Sequence, residues 1–361
     1  LPGSSRTADN GPRAGLGARA QRPRRHERHP ERFSSQVAQA RKALGEERLP
    51  VIRLHDLRDA HATLMLIDGG GLTVALPLRW GQDVYTVMAS PASRVGQRCD
   101  GGGRMADFLR VTVHDRVGWI EYDRPPVNAF HWEMLREVPE ALEKHLADPA
   151  VRVVVFGSAL DAHFSVGADL RVFSDMDDEG MHRWVDVCHD LVRRMRTSPK
   201  PLLAAVHGTA VGGGLEMVLH CDVRFAASTA WLGQPEINIG FIPPVGATQA
   251  LARLLGRPRA LRFLYDGTLL SAEEAHAIGL VDVVVAAERL REEVQDYAEG
   301  LARKPARALA AIRRCITEGV DLPFDEGLAI EREEAVALGA TADFREGLDA
   351  FLGRRPPVWS D

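Results

Sequence analysis

Short apolar segments alternate with segments of helical periodicity from Leu109 onward, and this alternation limits the possible folds more than any other feature. Residues 151–158 (VRVVVFGS) and 201–208 (PLLAAVHG) are continuous apolar segments, as expected for strands that are buried on both faces. Residues 110–114 and 118–123 have the pattern of a strand pair. These segments predict the strands of a largely buried sheet.

Helical segments separate and follow these strands. Residues 128–149 and 181–200 have the apolar spacing of helices, although the first contains Pro139. Ser271 and Glu274 form a capping-box pattern that predicts the start of another helix. Strands that alternate with helices predict an α/β domain of about 250 residues, followed by a helical C-terminal region.

The N-terminal segment has a different composition. Residues 1–48 contain 11 Lys and Arg and 5 Asp and Glu, within a chain whose net charge is −5. This segment is rich in Pro, Gly and Arg and has little apolar periodicity, and three glycines at 101–103 are typical of a linker. We therefore expect residues 1–104 to form a basic, poorly ordered extension that precedes the domain.

Composition excludes several classes of protein. Hydrophobic residues make up 45% of the chain, which allows a sizeable core, but no apolar run reaches the roughly 18 residues of a membrane span. The cysteines lack disulfide or metal-site spacing, which favours a reducing, cytoplasmic location. They are Cys99, Cys188, Cys221 and Cys315. A net charge of −5 predicts no nucleic-acid partner for the whole chain. The basic extension leaves salt-dependent DNA binding open as an alternative.

A glycine-rich stretch at 205–222 (AVHGTAVGGGLEMVLHCD) raises the question of a ligand loop. No Lys follows Gly214 and the Gly-x-Gly-x-x-Gly spacing is missing, so the stretch is not a typical nucleotide loop. One interpretation is a tight turn between a strand and a helix. The other is a helix start whose free N–H groups bind a carbonyl oxygen that becomes an oxyanion, with Glu216 one turn later. The second interpretation predicts enolate chemistry.

Two further segments fit the second interpretation. Residues 163–173 (HFSVGADLRVF) offer another exposed N–H group after the strand at 151–156, although an ordinary loop would have the same pattern. Glu236 lies in an apolar stretch (GQPEINIG), where a glutamate is either solvent-exposed or functional.

The combined pattern resembles the enoyl-CoA hydratase/isomerase (crotonase) superfamily over about residues 107–358. The segments FSVGADL, AAVHGTAVGGGLE, CDVRFAA and GQPEINIG occur in the order and at the spacings of that superfamily. The resemblance implies a crotonase-like ββα spiral core at 105–300. It also implies a C-terminal helical trimerisation region at 301–361, and therefore a homotrimer or a dimer of trimers.

The resemblance also implies roles for four residues. The backbone N–H groups of Ala168 and Gly213 correspond to the oxyanion hole, and Glu216 and Glu236 to the two glutamates of hydratases. The implied lyase adds water to a trans-2-enoyl-CoA and forms a (3S)-3-hydroxyacyl-CoA. Glu216 would activate the water and Glu236 would protonate C2, with no metal and no cofactor beyond the substrate's CoA. The alternative is another acyl-CoA reaction of the superfamily, namely isomerisation, decarboxylation or hydrolysis.

Contacts with CoA are implied for five residues. Three of them follow the first N–H group, and two lie near the C-terminus, where members of the superfamily reach a neighbouring subunit's CoA. They are Asp169, Leu170, Arg171, Phe351 and Arg354. Arg171 corresponds to a Lys that would meet a CoA phosphate, although a solvated helix Arg would give the same pattern.

The sequence departs from the superfamily pattern at two loops. The RPPVNA segment lacks the Lys that is common there, which affects the expected CoA contacts. In IPPVGATQ, Pro244 replaces a Gly and removes an N–H group. We expect this change to reshape the acyl pocket near Glu236.

A second, weaker resemblance covers residues 50–98. His55 and Arg58 match the His-x-x-Arg motif of tyrosine recombinases, and Tyr85 is a candidate for their nucleophile. The other catalytic groups of that family are missing, so we expect a remnant or a mistranslated upstream region without recombinase activity. Because Met105 precedes the superfamily-like start, we expect the native enzyme to begin there, which intact-mass measurement from the native source would test.

Overall fold

The structure, a computed structural model, describes residues 63–67, 71–75 and 108–360. β1 (Thr63–Ile67) and β2 (Gly71–Ala75) pair as an antiparallel two-stranded sheet. The recombinase-like residues and the expected start residue lie outside the described residues, as does most of the basic extension. They are His55, Arg58, Tyr85 and Met105.

A six-stranded sheet forms the centre of the structure from residue 108 onward. Its order is β12-β9-β7-β5-β4-β3, and all neighbouring strands are parallel except the β3–β4 hairpin. The strands are β3 (Leu109–His114), β4 (Val117–Tyr122), β5 (Val153–Ser158), β7 (Leu202–Val206), β9 (Val223–Ala227) and β12 (Val283–Val285). Every residue of β4, β5 and β7 is buried, which confirms the predicted strands with two covered faces.

A second, smaller sheet consists of four strands of three residues each. Its order is β11-β10-β8-β6, and its strands are β6 (His163–Ser165), β8 (Thr209–Val211), β10 (Trp231–Gly233) and β11 (Leu269–Ser271). Three times, a strand of the large sheet is followed by a strand of this sheet and then by a helix. The expected ββα organisation is therefore present.

Ten α-helices occur among the described residues. They are α1 (Trp132–Ala147), α2 (Asp178–Arg196), α3 (Gly213–Leu219), α4 (Ala247–Leu255), α5 (Arg257–Asp266), α6 (Ala272–Ala277), α7 (Leu290–Ala302), α8 (Ala306–Gly319), α9 (Phe324–Gly339) and α10 (Ala342–Leu352). None of the helices that the structure describes is long and apolar enough to cross a membrane.

The two faces of the large sheet are covered by different helices. Val153 and Val155 of β5 pack in a cluster with α7, whereas Val154 and Phe156 pack in the main core with α1, α2 and α3. This alternation follows from the two-residue period of a strand. The cavity described below lies on the α2 and α3 side.

The C-terminal region is helical, as expected. Helix α8 is anchored by the buried guanidinium of Arg313, whereas α9 contains no buried residue. The predicted domain boundaries and the predicted trimerisation role of residues 301–361 stay predictions.

Candidate active site

Two glycine loops meet at the start of α3. Gly212 has φ +52° and precedes the helix, and Gly167 has φ +83° in the loop after β6. A Cβ on Gly167 would lie only 2.8 Å from the backbone nitrogen of Gly213, and one on Gly214 would lie 2.5 Å from the carbonyl oxygen of Ser165. Glycine is therefore required for the close approach of the two loops.

Among the described residues, the backbone N–H groups of Ala168 and Gly213 have no acceptor. Phe130 donates its N–H to the carbonyl oxygen of Gly167 at 2.7 Å, and Asp169 donates its N–H to the carbonyl oxygen of Phe130 at 2.8 Å. The carbonyl before Ala168 and the N–H after it are therefore both hydrogen-bonded. Within residues 108–360, neither the Ala168 N–H nor the Gly213 N–H donates to an acceptor. Both residues line the same cavity. The structure thus brings together the two predicted oxyanion donors.

Glu216 lies in the first turn of α3 and is almost completely buried, with 1% of its surface exposed. Its Oε1 accepts hydrogen bonds from the backbone N–H groups of Val245 at 2.6 Å and Ala247 at 3.2 Å. Burial raises the pKa of Glu216 well above its ordinary value, and the charge of Glu236 raises it further. The two N–H donors act in the opposite direction because they favour the carboxylate.

Glu236 opens a one-turn 3₁₀ helix just after β10 and is partly buried. Burial raises its pKa to about 7. The buried amide of Gln234, with its nitrogen turned toward Glu236, donates to both carboxylate oxygens at 3.0 Å. A Cβ on Gly212 would lie 2.9 Å from Oε1 of Glu236, so this carboxylate lies against the glycine loop.

The two carboxyl groups can act as an acid and a base at neutral pH. Both pKa values are raised, and the charge of Glu236 opposes ionisation of Glu216. When two such groups interact, the protons leave in two steps that belong to the pair. One protonated and one ionised carboxyl group is the arrangement that general acid–base chemistry needs.

The cavity around these groups has a volume of about 410 Å³ and a largely apolar wall. One face of α2 contributes Met181, Trp184, Cys188 and Leu191, and burial raises the pKa of the Cys188 thiol to about 12. Among the described residues of the wall, only Glu216 and Glu236 are acidic, and none is Lys, Arg or His. The cavity can therefore hold an apolar group next to an acid–base pair.

The residues predicted to contact CoA near Ala168 form a charged cluster. Asp169 is buried, and Arg171 donates to both of its oxygens at 2.8 Å while Arg124 approaches at 3.3 Å. The hydrogen bond from Arg171 is the main reason that the pKa of Asp169 is lowered to about 2. Arg171 itself is 64% exposed, and Leu170 lines the cavity.

The two predicted C-terminal contacts lie away from the cavity of their own chain. Phe351 and Arg354 are exposed at the end of α10, and neither belongs to the cavity wall. Their contact with a neighbouring subunit's CoA stays a prediction.

Several residues of the site were missed by sequence reasoning. Gln234 lies two positions before Glu236 in the same motif, which was a usable signal. The N–H groups of Val245 and Ala247 gave no such signal, because any residue except Pro supplies one. Pro244 lines the cavity, as its departure from the superfamily pattern suggested. The N–H of the next residue, Val245, donates to the carboxylate of Glu216.

One group of potential metal ligands occurs within the part of the chain that the structure describes. His114, Asp115 and Glu299 lie close together at the surface, and none of them lines the cavity.

Known proteins are similar to this chain in both sequence and fold. A probable enoyl-CoA hydratase from Rhizobium meliloti (strain 1021) is 35% identical over 256 residues, which cover 69% of this chain and 96% of the relative. The crotonyl-CoA hydratase of Syntrophomonas wolfei is 34% identical and covers 67% of this chain and 93% of its own. The crystal structure of an enoyl-CoA hydratase from Bacillus anthracis matches with a TM-score of 0.68 at 32% identity, over 70% of this chain and 99% of that one.

The structural match confirms the crotonase-like α/β core with its helical C-terminal region. The sequence profile described as enoyl-CoA hydratase/isomerase matches residues 112–361. Residues 50–98 precede this match, so the recombinase resemblance gains no support from it. Since the profile matches more than half of the chain and the relatives align over nearly their whole length, the chain belongs to the enoyl-CoA hydratase/isomerase family.

Proposed function

We propose that the protein is a lyase that adds water to the 2,3 double bond of a trans-2-enoyl-CoA and forms a (3S)-3-hydroxyacyl-CoA. One observation carries the proposal: two unengaged N–H groups and two carboxyl groups of raised pKa line a single apolar cavity. The N–H groups belong to Ala168 and Gly213, and the carboxyl groups to Glu216 and Glu236. Homology to proteins named enoyl-CoA hydratase supports the same reaction.

The chemistry follows from the positions of these groups. The thioester oxygen accepts hydrogen bonds from both N–H groups, which draws electron density from C3 and stabilises the enolate. In the proposed reacting state the proton of the pair lies on Glu236, and the N–H groups of Val245 and Ala247 hold Glu216 ionised. Glu216 then removes a proton from water as the water oxygen bonds to C3, and protonated Glu236 gives its proton to C2. Water adds across C2 and C3 as the π bond between them is lost, and no electrons pass to or from the protein, so we propose that the reaction needs no metal or redox cofactor. Activity that survives exhaustive treatment with EDTA would agree with this.

The central test is hydration of crotonyl-CoA by the purified protein, followed as the loss of enoyl absorbance. Glu216→Gln and Glu236→Gln each remove one proton-transfer group, so we expect kcat to fall by about 10²-fold or more in each variant. Glu273→Gln changes an exposed glutamate of α6 and serves as the matched control. Near-normal kcat in either active-site variant contradicts the assigned pair.

Product analysis separates the alternatives. Wild-type protein that leaves every enoyl-CoA intact contradicts hydration. Interconversion of 3-enoyl-CoA and 2-enoyl-CoA without a 3-hydroxyacyl product would assign isomerase activity, which the family name also includes.

The cavity wall also indicates the acyl class. A terminal carboxylate in this cavity would find no Lys, Arg or His on the described wall, and burial of an unpaired charge is costly. We therefore expect kcat/KM for 2-hexenoyl-CoA to exceed that for its six-carbon analogue with a terminal carboxylate by about 10²-fold or more. Equal values for the two substrates would contradict an apolar acyl site.

We infer that the protein assembles as a homotrimer or a dimer of trimers. Large apolar side chains on α8, α9 and α10, and one directly after α8, are exposed in the single chain. They include Ile312, Ile316, Val320, Phe324, Val336, Phe351 and Leu352. A cytoplasmic location and the absence of a nucleic-acid partner stay predictions from the sequence.

A further inference from the structure

The loop from Pro244 to Ala247 holds the carboxylate of Glu216. The peptide bond between Pro244 and Val245 is planar, so its carbonyl and its N–H point in opposite directions. The N–H donates to Oε1 of Glu216 at 2.6 Å, and the carbonyl oxygen lies 2.8 Å from Nε2 of His189. The orientation of this peptide is thus fixed from both sides, by the carboxylate and by a histidine of α2.

A second histidine holds the next peptide of the loop. His220 follows Glu216 by four positions, which places the two side chains on the same side of α3. Its Nε2 lies 2.8 Å from the carbonyl oxygen of Val245. Gly246 has φ +88°, and a Cβ there would lie 2.9 Å from Nε2 of His220, so the loop packs directly on this ring.

Both imidazole rings must carry a proton on Nε2, because a carbonyl oxygen only accepts hydrogen bonds. His220 is buried, and this burial lowers its pKa to about 4. The nearby charge of Arg196 also lowers that pKa. Neutral His220 therefore serves as a fixed donor near neutral pH.

We propose that His189 and His220 are positioning residues for Glu216, which hold the 244–247 loop so that two backbone N–H groups point at one oxygen of its carboxylate. This inference rests on the proposed function, in which Glu216 is the base that activates water. A peptide whose carbonyl accepts a hydrogen bond becomes a stronger N–H donor. The carbonyl that accepts from His189 shares a peptide with the Val245 N–H, so His189 favours the ionised form of Glu216, the form that the reaction requires. His220 acts by holding the loop in place, because the peptide that it contacts carries the N–H of Gly246.

The first experiment measures hydration by His189→Leu and His220→Leu, with the corresponding Gln variants as rescues. Leu removes the donor, whereas the amide of Gln supplies one at similar reach. We expect the Leu variants to lose about tenfold or more in kcat with KM changed less than about twofold, because Glu216 is misplaced and CoA binding is not. The acidic limb of the kcat/KM profile should move to higher pH, and the Gln variants should recover in both respects.

His276→Leu is the matched control. Nδ1 of His276 lies 3.0 Å from the carbonyl oxygen of Val281, the same kind of contact at a position outside the cavity wall. We expect its kcat and its pH profile to match the wild type. An effect in His276→Leu as large as in the other Leu variants would overturn the inference, since the loss of any histidine contact would then lower kcat and shift the pH profile.

The second experiment needs no substrate. Infrared difference spectra over a pH titration, with Glu216→Gln as the reference, report the protonation of Glu216 in the free protein. Glu236 and Cys188 are the other titratable groups that interact with Glu216, and both remain in every variant. We expect the apparent pKa of Glu216 to rise by roughly half a unit to one unit in each Leu variant and to return toward the wild-type value with Gln.

The outcomes distinguish the inference from the function on which it rests. An unchanged titration of Glu216 in a folded His189→Leu variant overturns the inference, whatever the activity. Absence of hydration by the wild type overturns the proposed function, while the titration still decides the role of the histidines. His189 is only half-buried, so His189→Leu and its Gln counterpart decide the question if His220→Leu fails to fold.

Discussion

Gly167 and Gly279 have nearly the same φ angle and different surroundings. Their φ values are +83° and +84°, so a side chain at either position costs about 1–2 kcal/mol in backbone strain. A Cβ on Gly167 would meet the backbone nitrogen of Gly213 at 2.8 Å and the carbonyl oxygen of Val211 at 3.0 Å. A Cβ on Gly279 would meet nothing within 4 Å. The pair therefore separates backbone strain from damage to the site.

We expect Gly167→Ala to lose about 10²-fold or more in kcat, because the clash must move the Gly213 N–H from the thioester oxygen. Gly279→Ala should lose only the stability that the backbone strain costs and keep its kcat. Steady-state hydration assays and urea unfolding of both variants test this. Equal kcat in the two alanine variants would argue against a role for the Gly213 N–H group.

Glu236 links the stability of the protein to pH. Its pKa is about 7 in the folded protein, against 4.5 for a glutamate side chain in water, so the folded state prefers the protonated form. Stability from this preference is complete below about pH 4.5 and is lost as pH rises through 7. We expect Glu236→Gln to be more stable than the wild type by roughly 1–3 kcal/mol at pH 8, with no such gain at pH 4. Urea unfolding at both values checks the sign, and an equal gain at pH 4 would refute the linkage.

Sequence patterns identified the residues whose types the chemistry restricts. Glu216, Glu236 and the glycines around them were found because few residue types serve as an acid or permit such close approach. The histidines at 189 and 220 were not found, because they act on backbone carbonyls of a loop that is distant in sequence. A lone histidine in a helix has no pattern that reveals such a contact.

At the scale of elements, Arg313 connects α8 to the core. Its guanidinium donates to both oxygens of Asp222 and to the carbonyl oxygens of Met195, Arg196 and Ser198 at distances of 2.6–3.0 Å. Met195 and Arg196 end α2, where helix carbonyls lack partners within the helix, and Ser198 follows two residues later. Arg313 therefore caps one helix from another.

We expect Arg313→Met to lower the free energy of unfolding by about 2–4 kcal/mol, because it removes the guanidinium donors of three carbonyls and the ion pair of a partly buried carboxylate. Arg313→Lys keeps the charge without the forked donors, so its free energy of unfolding should lie between those of the wild type and Arg313→Met. Arg314→Met is the control, since that side chain is 37% exposed and its ion pairs lie at the surface. Urea unfolding is the measurement, and an equal effect in both Met variants would contradict the capping role.

Helices and strands were predicted correctly where their sequence pattern extends over several residues. The capping box of Ser271 and Glu274 is present, with both reciprocal hydrogen bonds. The helix that contains Pro139 also forms as expected. Strands β6 and β8 were not predicted as strands, because three residues do not establish a two-residue period. Their positions follow from pairing within the small sheet, which is a tertiary contact.

At the scale of the whole molecule, the surface of α8 carries an apolar stripe. Ile312 and Ile316 of α8 and Val320, the residue directly after it, repeat every four residues and are 59%, 62% and 71% exposed. Phe324, at the start of α9, is 80% exposed. Such a spacing is normally that of a buried face, so we expect another protein surface to cover the stripe. Neither its partner nor the geometry of assembly follows from the sequence period alone.

We expect the wild type to have the mass of a trimer or a hexamer by size-exclusion chromatography with light scattering. Ile316→Glu places a charge in the apolar stripe and should shift the protein toward smaller species. Val113→Glu is the matched control, since Val113 is an exposed apolar residue of β3 outside the C-terminal helices.

The same variant tests the proposed CoA contacts of Phe351 and Arg354. If these residues of a neighbouring subunit hold the CoA, the dissociated Ile316→Glu variant should also show a KM raised by about tenfold, because a phosphate contact and an aromatic contact are lost together. A wild-type monomer with an ordinary KM would contradict both the interface and the shared CoA site.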